Sequence, residues 1–268
     1  YMKRKWIRWV SWILLTPIIL FVILMVLLYV PPVQNLLRRE VTAYASKATG
    51  MQIQVERIDL RFPLNLLVRG VEVIQQPDTL LSLESLNVRV QAWPLIKGKV
   101  EVDEVTLSRV AVNSADLMEG MKIKGVLGRF FLQSHGVDLS NELAVINQVE
   151  LSDTHVQLLM NDTTTTPKDT TASAPINWKV ALHQLKLKNV SFGMQLPADS
   201  MRMTAHIGEA AINNAQADLK NQYYDLKKFL LSGTSASYDT GTAQPTEGFD
   251  ASHIAVRDIR IALDSLLY

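Results

Sequence analysis

Ser152, Asp153 and His155 stand together in the stretch "SDTH", and a nucleophilic serine in acyl transfer uses those three residue types. That chemistry needs the imidazole placed between the hydroxyl and the carboxylate, each within hydrogen-bond reach of the next. A β-strand gives a different arrangement. Alternate residues share a face, so Asp153 and His155 point one way while Thr154 points the other. The other candidates fail on spacing. His135, His155, His183, His206 and His253 are scattered without ligand spacing, and there is no H-E-x-x-H, no glycine-rich phosphate loop and no G-x-S-x-G turn. Cysteine is absent, which removes thiolate nucleophiles, disulfides and Cys-based metal sites. The acids of "VEVDEV" and "ERIDLR" fall on alternate positions, as on a solvated strand face. Trp93 and Trp178 are isolated and the formal net charge is +1, so neither a base-stacking platform nor a basic stripe for nucleic acid is present. These residues predict a protein that is not an enzyme, holds no metal or cofactor, and has no nucleic-acid partner.

The informative pattern is apolar, and strands carry it. "VTLSRVAV", residues 105–112, places Val105 and Leu107 two apart and Val110 and Val112 two apart, with a step of three between the pairs. The same spacing recurs in "LLVRGVEV" from Leu66, "VELSDTHV" from Val149 and "LKLKNVSF" from Leu185. Weaker copies are "AAINNAQA" from Ala210, "FLLSGTSA" from Phe229 and "IRIALDSL" from Ile259. In each, the first, third, sixth and eighth positions are expected on one face. The residues at the step are often small or turn-prone, such as Arg69-Gly70, Ser152-Asp153, Lys188-Asn189, Asn213-Asn214 and Ser232-Gly233. A one-residue insertion that restores the facing is a β-bulge, which bends a strand and increases its twist. By contrast "MQIQVERIDLRF", "LLSLESLNVRV" and "KGKVEVDEVTL" read as plain alternation. The expectation is a curled sheet with one apolar face. After Gly50 no amphipathic helix is long enough to cover that face, so a second sheet, the sheet's own curl or an apolar ligand must do so.

Ahead of the strands, no charged residue occurs from Trp9 to Leu37, and the strongly apolar part runs from about Trp12 to Tyr29. That is about the 20 residues needed to cross a bilayer. Lys3, Arg4, Lys5 and Arg8 precede it, Trp6, Trp9, Trp12 and Tyr29 flank it, and Pro31-Pro32 ends it. Residues 1–32 are therefore expected to be an uncleaved anchor with the N-terminus in the cytoplasm, Met2 being the natural start. Residues 33–50 have helical spacing, with Val33, Leu36, Leu37, Val41 and Tyr44 on one face and Gly50 as the C-cap. This helix is expected beside the membrane, capping the first strand, or both. Residues 51–268 are strand repeats, interrupted by the polar "NDTTTTPKDTTASAP" at 161–175, an expected flexible loop, and a looser stretch at 239–250. "IRIALDSLLY" stops within a strand pattern, so the sequence is expected to be the N-terminal part of a longer chain.

The anchor, the short helix, "KATGMQIQVERIDLRFPLNLLVRGVEV" (Lys47 to Val73) and the repeated strands together resemble the N-terminal region of the AsmA-like superfamily, of the TamB type that forms the inner-membrane part of a translocation and assembly module. The resemblance implies a mostly β fold, an elongated curled sheet or β-taco with an apolar interior. It implies a single-pass inner-membrane protein whose bulk is periplasmic, acting in phospholipid transport between membranes and in outer-membrane assembly. Its implied partners are phospholipid, the inner membrane and an Omp85-type outer-membrane barrel, the last through a C-terminal part that has no counterpart here. Burying a methylene is worth about 0.8 kcal/mol, so exposing an acyl chain of roughly sixteen carbons to water costs on the order of 10 kcal/mol. The apolar stripe would replace that burial. Its expected groove residues are Val71, Val73, Val105, Leu107, Val110, Val112, Val149, Leu151, Val156, Leu185, Leu187, Val190 and Phe192. The rival reading is a structural tether that binds only protein.

Overall fold

The computed structural model describes residues 30–96, 101–115, 120–138, 142–160, 177–241 and 247–268. Helix α1 (Pro31–Thr49) leads into ten strands: β1 (Gln52–Arg61), β2 (Asn65–Gln75), β3 (Asp78–Val90), β4 (Val102–Asn113), β5 (Met121–Asp138), β6 (Leu143–Met160), β7 (Lys179–Leu196), β8 (Met201–Asp218), β9 (Tyr223–Thr240) and β10 (His253–Leu267). A five-residue helix α2 (Ala92–Ile96) follows β3, and a 3-10 turn (Pro197–Asp199) follows β7. The expected anchor and the expected flexible loop lie outside the described residues, apart from the start of α1. Among the described residues no helix is long and apolar enough to cross a membrane.

The ten strands form one open, curled sheet in sequence order, β1 to β10. Every neighbouring pair is antiparallel except β6–β7, which is parallel. Strands occupy 73% of the described residues, and among those residues no helical layer covers the sheet. Antiparallel neighbours need only short connections, whereas a parallel pair needs a crossover. Met160 and Asn177, which bound the 161–176 segment, accordingly lie at opposite ends of the paired strands.

The repeated step of three has a different meaning from the single-strand insertion expected above. It crosses the whole sheet. Ser108 pairs with Ser85 and Val110 with Leu83, so Arg109 lies beside Glu84, an extra residue of its own strand. Likewise Gly70 falls beside Glu56 and Glu84, Gly128 beside Arg109 and Asp153, and Asn189 beside Asp153 and Gly208. The unpaired residues form a transverse crease from β1 to β9. Two of the stretches thought to alternate plainly also slip, "IQVERIDL" from Ile53 and "LSLESLNV" from Leu81, and "GVLGRFFL" from Gly125, not read as a copy above, carries the same spacing. Spacing of 1, 3, 6 and 8 reads identically in reverse, so parallel and antiparallel neighbours both keep their apolar sides together.

The crease has a backbone signature. Gly70, Arg109, Asp153, Asn189 and Gly233 have φ of 59°, 47°, 51°, 53° and 57°, each at the fifth position of its repeat. All five lie on strands that run in one direction. Their neighbours on the opposed strands are Glu56, Glu84 and Gly128, the fourth position of those repeats, and Gly208, the fourth position of "AHIGEAAI" from Ala205, which precedes the copy expected from Ala210. A Cβ added at Gly128 would lie 2.7 Å from the Asp153 Cβ and 3.0 Å from its carbonyl oxygen, so only glycine fits there. Arg109 is ion-paired with Glu84, and Asn189 Nδ2 donates to Asp153 Oδ1 at 2.7 Å.

Strand β10 corrects the expected frame. Asp258, with φ 52°, marks its step, and the repeat reads "IAVRDIRI" from Ile254 rather than "IRIALDSL" from Ile259. Ile254, Val256, Ile259 and Ile261 meet Tyr238, Ala236, Thr234 and Leu231, while Leu263 and Leu266 meet Phe229 and Leu226. Asp264, which the earlier frame put on the apolar face, lies between Leu263 and Ser265 at a second, shorter crease. There Asn214 and Lys228 also take positive φ.

Candidate functional site

The expected groove residues share one sheet face in lateral rows. The row through Val105 joins Leu60, Leu66, Val88, Val105, Leu132, Val149, Leu185, Ile212, Phe229 and Leu263 across all ten strands. The row through Leu107 joins Ile58, Val68, Leu86, Leu107, Phe130, Leu151, Leu187, Ala210, Leu231 and Ile261 in the same way. On the other side of the crease, Val71 and Val110 belong to a third row with Leu83 and Leu127, and Val190 joins it beyond Thr154. Val73, Val112, Val156 and Phe192 belong to a fourth, with Leu81 and Gly125 between them. Neighbouring strands lie about 4.8 Å apart, so nine spacings make each full row about 43 Å long. The crease runs along the middle of the four rows, making the apolar surface a bent strip rather than a flat one.

The third row carries threonine where its neighbours carry aliphatics. Thr154 and Thr234 are each 7% exposed. Their hydroxyls donate to the carbonyls two residues back, Ser152 O at 3.2 Å and Ser232 O at 3.4 Å. The polar atom is satisfied locally and the methyl group is left to the row.

The strip is not a closed core. Ile58, Leu80, Leu83, Ala144 and Ala210 are the buried apolar residues among those described, and no large side chain is fully buried. Of the thirteen expected groove residues none is buried: Val112 and Phe192 are each 41% exposed and the rest are intermediate. A sandwich of this many strands would bury most of them. No second layer lies over the strip among the described residues, and that leaves two of the three expected covers, the sheet's curl and an apolar ligand.

Helix α1 sits against the first strand, as one of its two expected readings has it, but not through its apolar face. It packs along β1 through polar side chains: Gln34 Nε2 donates to Leu60 O at 3.1 Å, Arg38 to Glu56 O at 2.9 Å, and Ser46 Oγ accepts from Ile53 N at 3.1 Å. The helix thus satisfies the free edge of the first strand, as an edge strand requires. Gly50 ends it at φ 70°, as expected of a C-cap. The expected apolar face points elsewhere, with Leu36 58%, Val41 47% and Tyr44 77% exposed.

The "SDTH" residues form no catalytic set. Asp153 is held by Asn189, His155 Nε2 meets Gln157 Nε2 at 3.0 Å, and Thr154 faces the apolar side between them. Asp218, at the end of β8, carries a shifted carboxyl. Its carboxyl is held below the ordinary value by the Asn221 backbone N–H, at 3.1 Å. Partial burial opposes this, and the Asn221 side-chain amide and Lys179 add to it.

Sequence reasoning missed the strip's contributions from β1, β3 and β5, among them Leu81, Leu83, Leu127, Phe130 and Leu132. The signal was present as the same spacing, hidden by the charged or glycine residue at the step. Fold and surface together define a single-layer open β-sheet protein with one continuous apolar face. The chain matches no protein-family model and no curated protein.

Proposed function

We propose that this chain is a membrane-anchored periplasmic β-groove that carries phospholipid acyl chains along its apolar strip, in transport between the inner and outer membranes and in envelope assembly. The observation that supports it most is the register of the rows: apolar side chains continue laterally across all ten strands in two of them, with no covering layer among the described residues. A strip about 43 Å long offers a replacement for bilayer burial over more than the roughly 30 Å of a hydrocarbon core. The head group would remain in water along the open side. The work is binding and passage, with no bond made or broken, and catalytic groups have no part in it. Residues 1–32 would hold the groove at the inner membrane, and an Omp85-type barrel would receive it through a further C-terminal part.

The test is photocrosslinking in cells with probes at adjacent positions on opposite faces. A probe at Val112, on the strip, is expected to give phospholipid adducts by mass spectrometry, and a probe at Ala111 is not. Protein adducts alone at Val112 would overturn the transport reading in favour of a tether that binds protein.

A further inference from the structure

The polar face of the sheet holds a feature that the apolar strip does not use. Over β5 to β8 lies a hollow of about 460 Å³, within the size range of small-molecule sites. The pairings place its side chains in adjoining rows. Lys124, Gln157, Gly193 and Thr204 form one, His155, Ser191 and His206 the next, and Arg202 lies in the row on the far side, across from Asp239. His155 and Ser191 precede Val156 and Phe192, so the polar lining lies on the face opposite the strip, while Phe192 and Ala205 of the fourth row also border the hollow.

Its chemistry is one-sided. Lys122, Lys124 and Arg202 line it, together with two imidazoles and two hydroxyls, and among the described residues no carboxylate does. The acid nearest in register, Asp239, is engaged by His253 Nε2 at 3.0 Å. Lys124 and Arg202 make no ion pair among the described residues. Ser191 Oγ and His206 Nδ1 are 2.9 Å apart, which fixes both side chains at the wall. Gly193 leaves the middle of the floor open, since a Cβ there would meet only Gln157 Cγ, at 3.8 Å. Guanidinium, ammonium, hydroxyl and imidazole groups lining one hollow are what a phosphate group requires.

We propose that this hollow binds a phosphate-bearing ligand, with Arg202 and Lys124 as the charged contacts and Ser191 and His206 as hydroxyl and imidazole contacts. The charged contacts lie on the other face from the strip, and the proposal does not rest on the transport reading. The phosphate has two sources in principle, a free organophosphate or the head group of a phospholipid.

The experiment uses the full chain in detergent micelles, titrated calorimetrically with glycerol 3-phosphate and, separately, with phosphatidylglycerol vesicles. Saturable binding is expected, weakened about tenfold by Arg202→Ala or Lys124→Ala, as loss of one charge-assisted contact implies. Gly193→Leu, which fills the hollow from an extended strand position, is expected to abolish it. Leu187→Asp, on the opposite face, is expected to leave it unchanged, so this site and the strip fail independently. Binding of glycerol 3-phosphate with this dependence identifies a free organophosphate, and the same dependence with vesicles alone identifies a head group. Binding of neither probe, or binding that Gly193→Leu and Arg202→Ala leave intact while both variants unfold cooperatively, overturns the proposal.

Discussion

Glycine at the crease illustrates how one atom decides the path of a strand. Gly128 has extended backbone, so conformational freedom is not the reason for it. The reason is space: Asp153, in its left-handed conformation, brings its Cβ and carbonyl oxygen into the volume a side chain at 128 would occupy. Gly128→Ala is expected to destabilise the protein by about 1–3 kcal/mol, the usual range for overpacking. Gly193→Ala, where the nearest atom is 3.8 Å from the added Cβ, is expected to stay within about 0.5 kcal/mol of the parent. Urea unfolding midpoints of the two variants check this pair, and equal midpoints would remove the steric account of the crease. The positive-φ position of "VTLSRVAV" holds arginine, which sequence reasoning placed at the bulge without any glycine to mark it. Its partner Glu84 could not be named from sequence, because that pairing spans a hairpin.

Among the elements described, the β8–β9 connection holds the carboxyl that predicts a pH response. Asp218 ends β8, accepts from Asn221 within the turn, and lies across from Lys179 of β7. Its folded-state pKa is lowered from 3.8, chiefly by the Asn221 backbone hydrogen bond. A depressed carboxyl stabilises the folded turn fully above its unfolded value. That contribution is lost as pH falls through the lower, folded value, in the acid region below about pH 4. The Asn221 amide is therefore expected to keep its hydrogen-exchange protection from neutral pH down to that region and lose it below, while Asp218→Asn shows no such step. Flat protection in the parent down to pH 2 would count against this. Helix α1 shows the limit of element-level reading. Its apolar periodicity located the helix and its cap correctly, yet the helix meets β1 through Gln34, Arg38 and Ser46. Bonds to an exposed edge carbonyl have no apolar periodicity and so leave no trace in a hydrophobic pattern.

For the molecule as a whole, the open face sets what a charge on it should do. In a closed core, a carboxyl in place of Leu187 would be held in its neutral form without hydrogen-bond partners and would cost several kcal/mol. Leu187 is only half-buried, beside Leu151 and Ala210, so Leu187→Asp is expected to fold with a loss of about 1–3 kcal/mol. The same variant is expected to reduce phospholipid transfer between donor and acceptor vesicles to near the protein-free rate, because the charge interrupts one full row. Normal transfer by a folded Leu187→Asp protein would remove the main support for a conduit.

The sequence by itself determined the unit and its facing. Spacing of 1, 3, 6 and 8 in strands β2, β4, β6 and β7 names the apolar side, since side chains alternate and the slip is local. It determined the C-cap at Gly50 and the absence of the spacings that catalysis and metal binding need. Tertiary structure alone decided that the slips of different strands line up, because alignment depends on register, and register is a relation between segments far apart in the chain. It also moved the frame of β10 by five residues, where two creases offered two self-consistent apolar spacings and only pairing with β9 selected one. The parallel β6–β7 pair, the polar contact of α1 and the gathering of Lys124, Ser191 and Arg202 from three strands were decided there too. Residues that meet across strands share a site without sharing a motif.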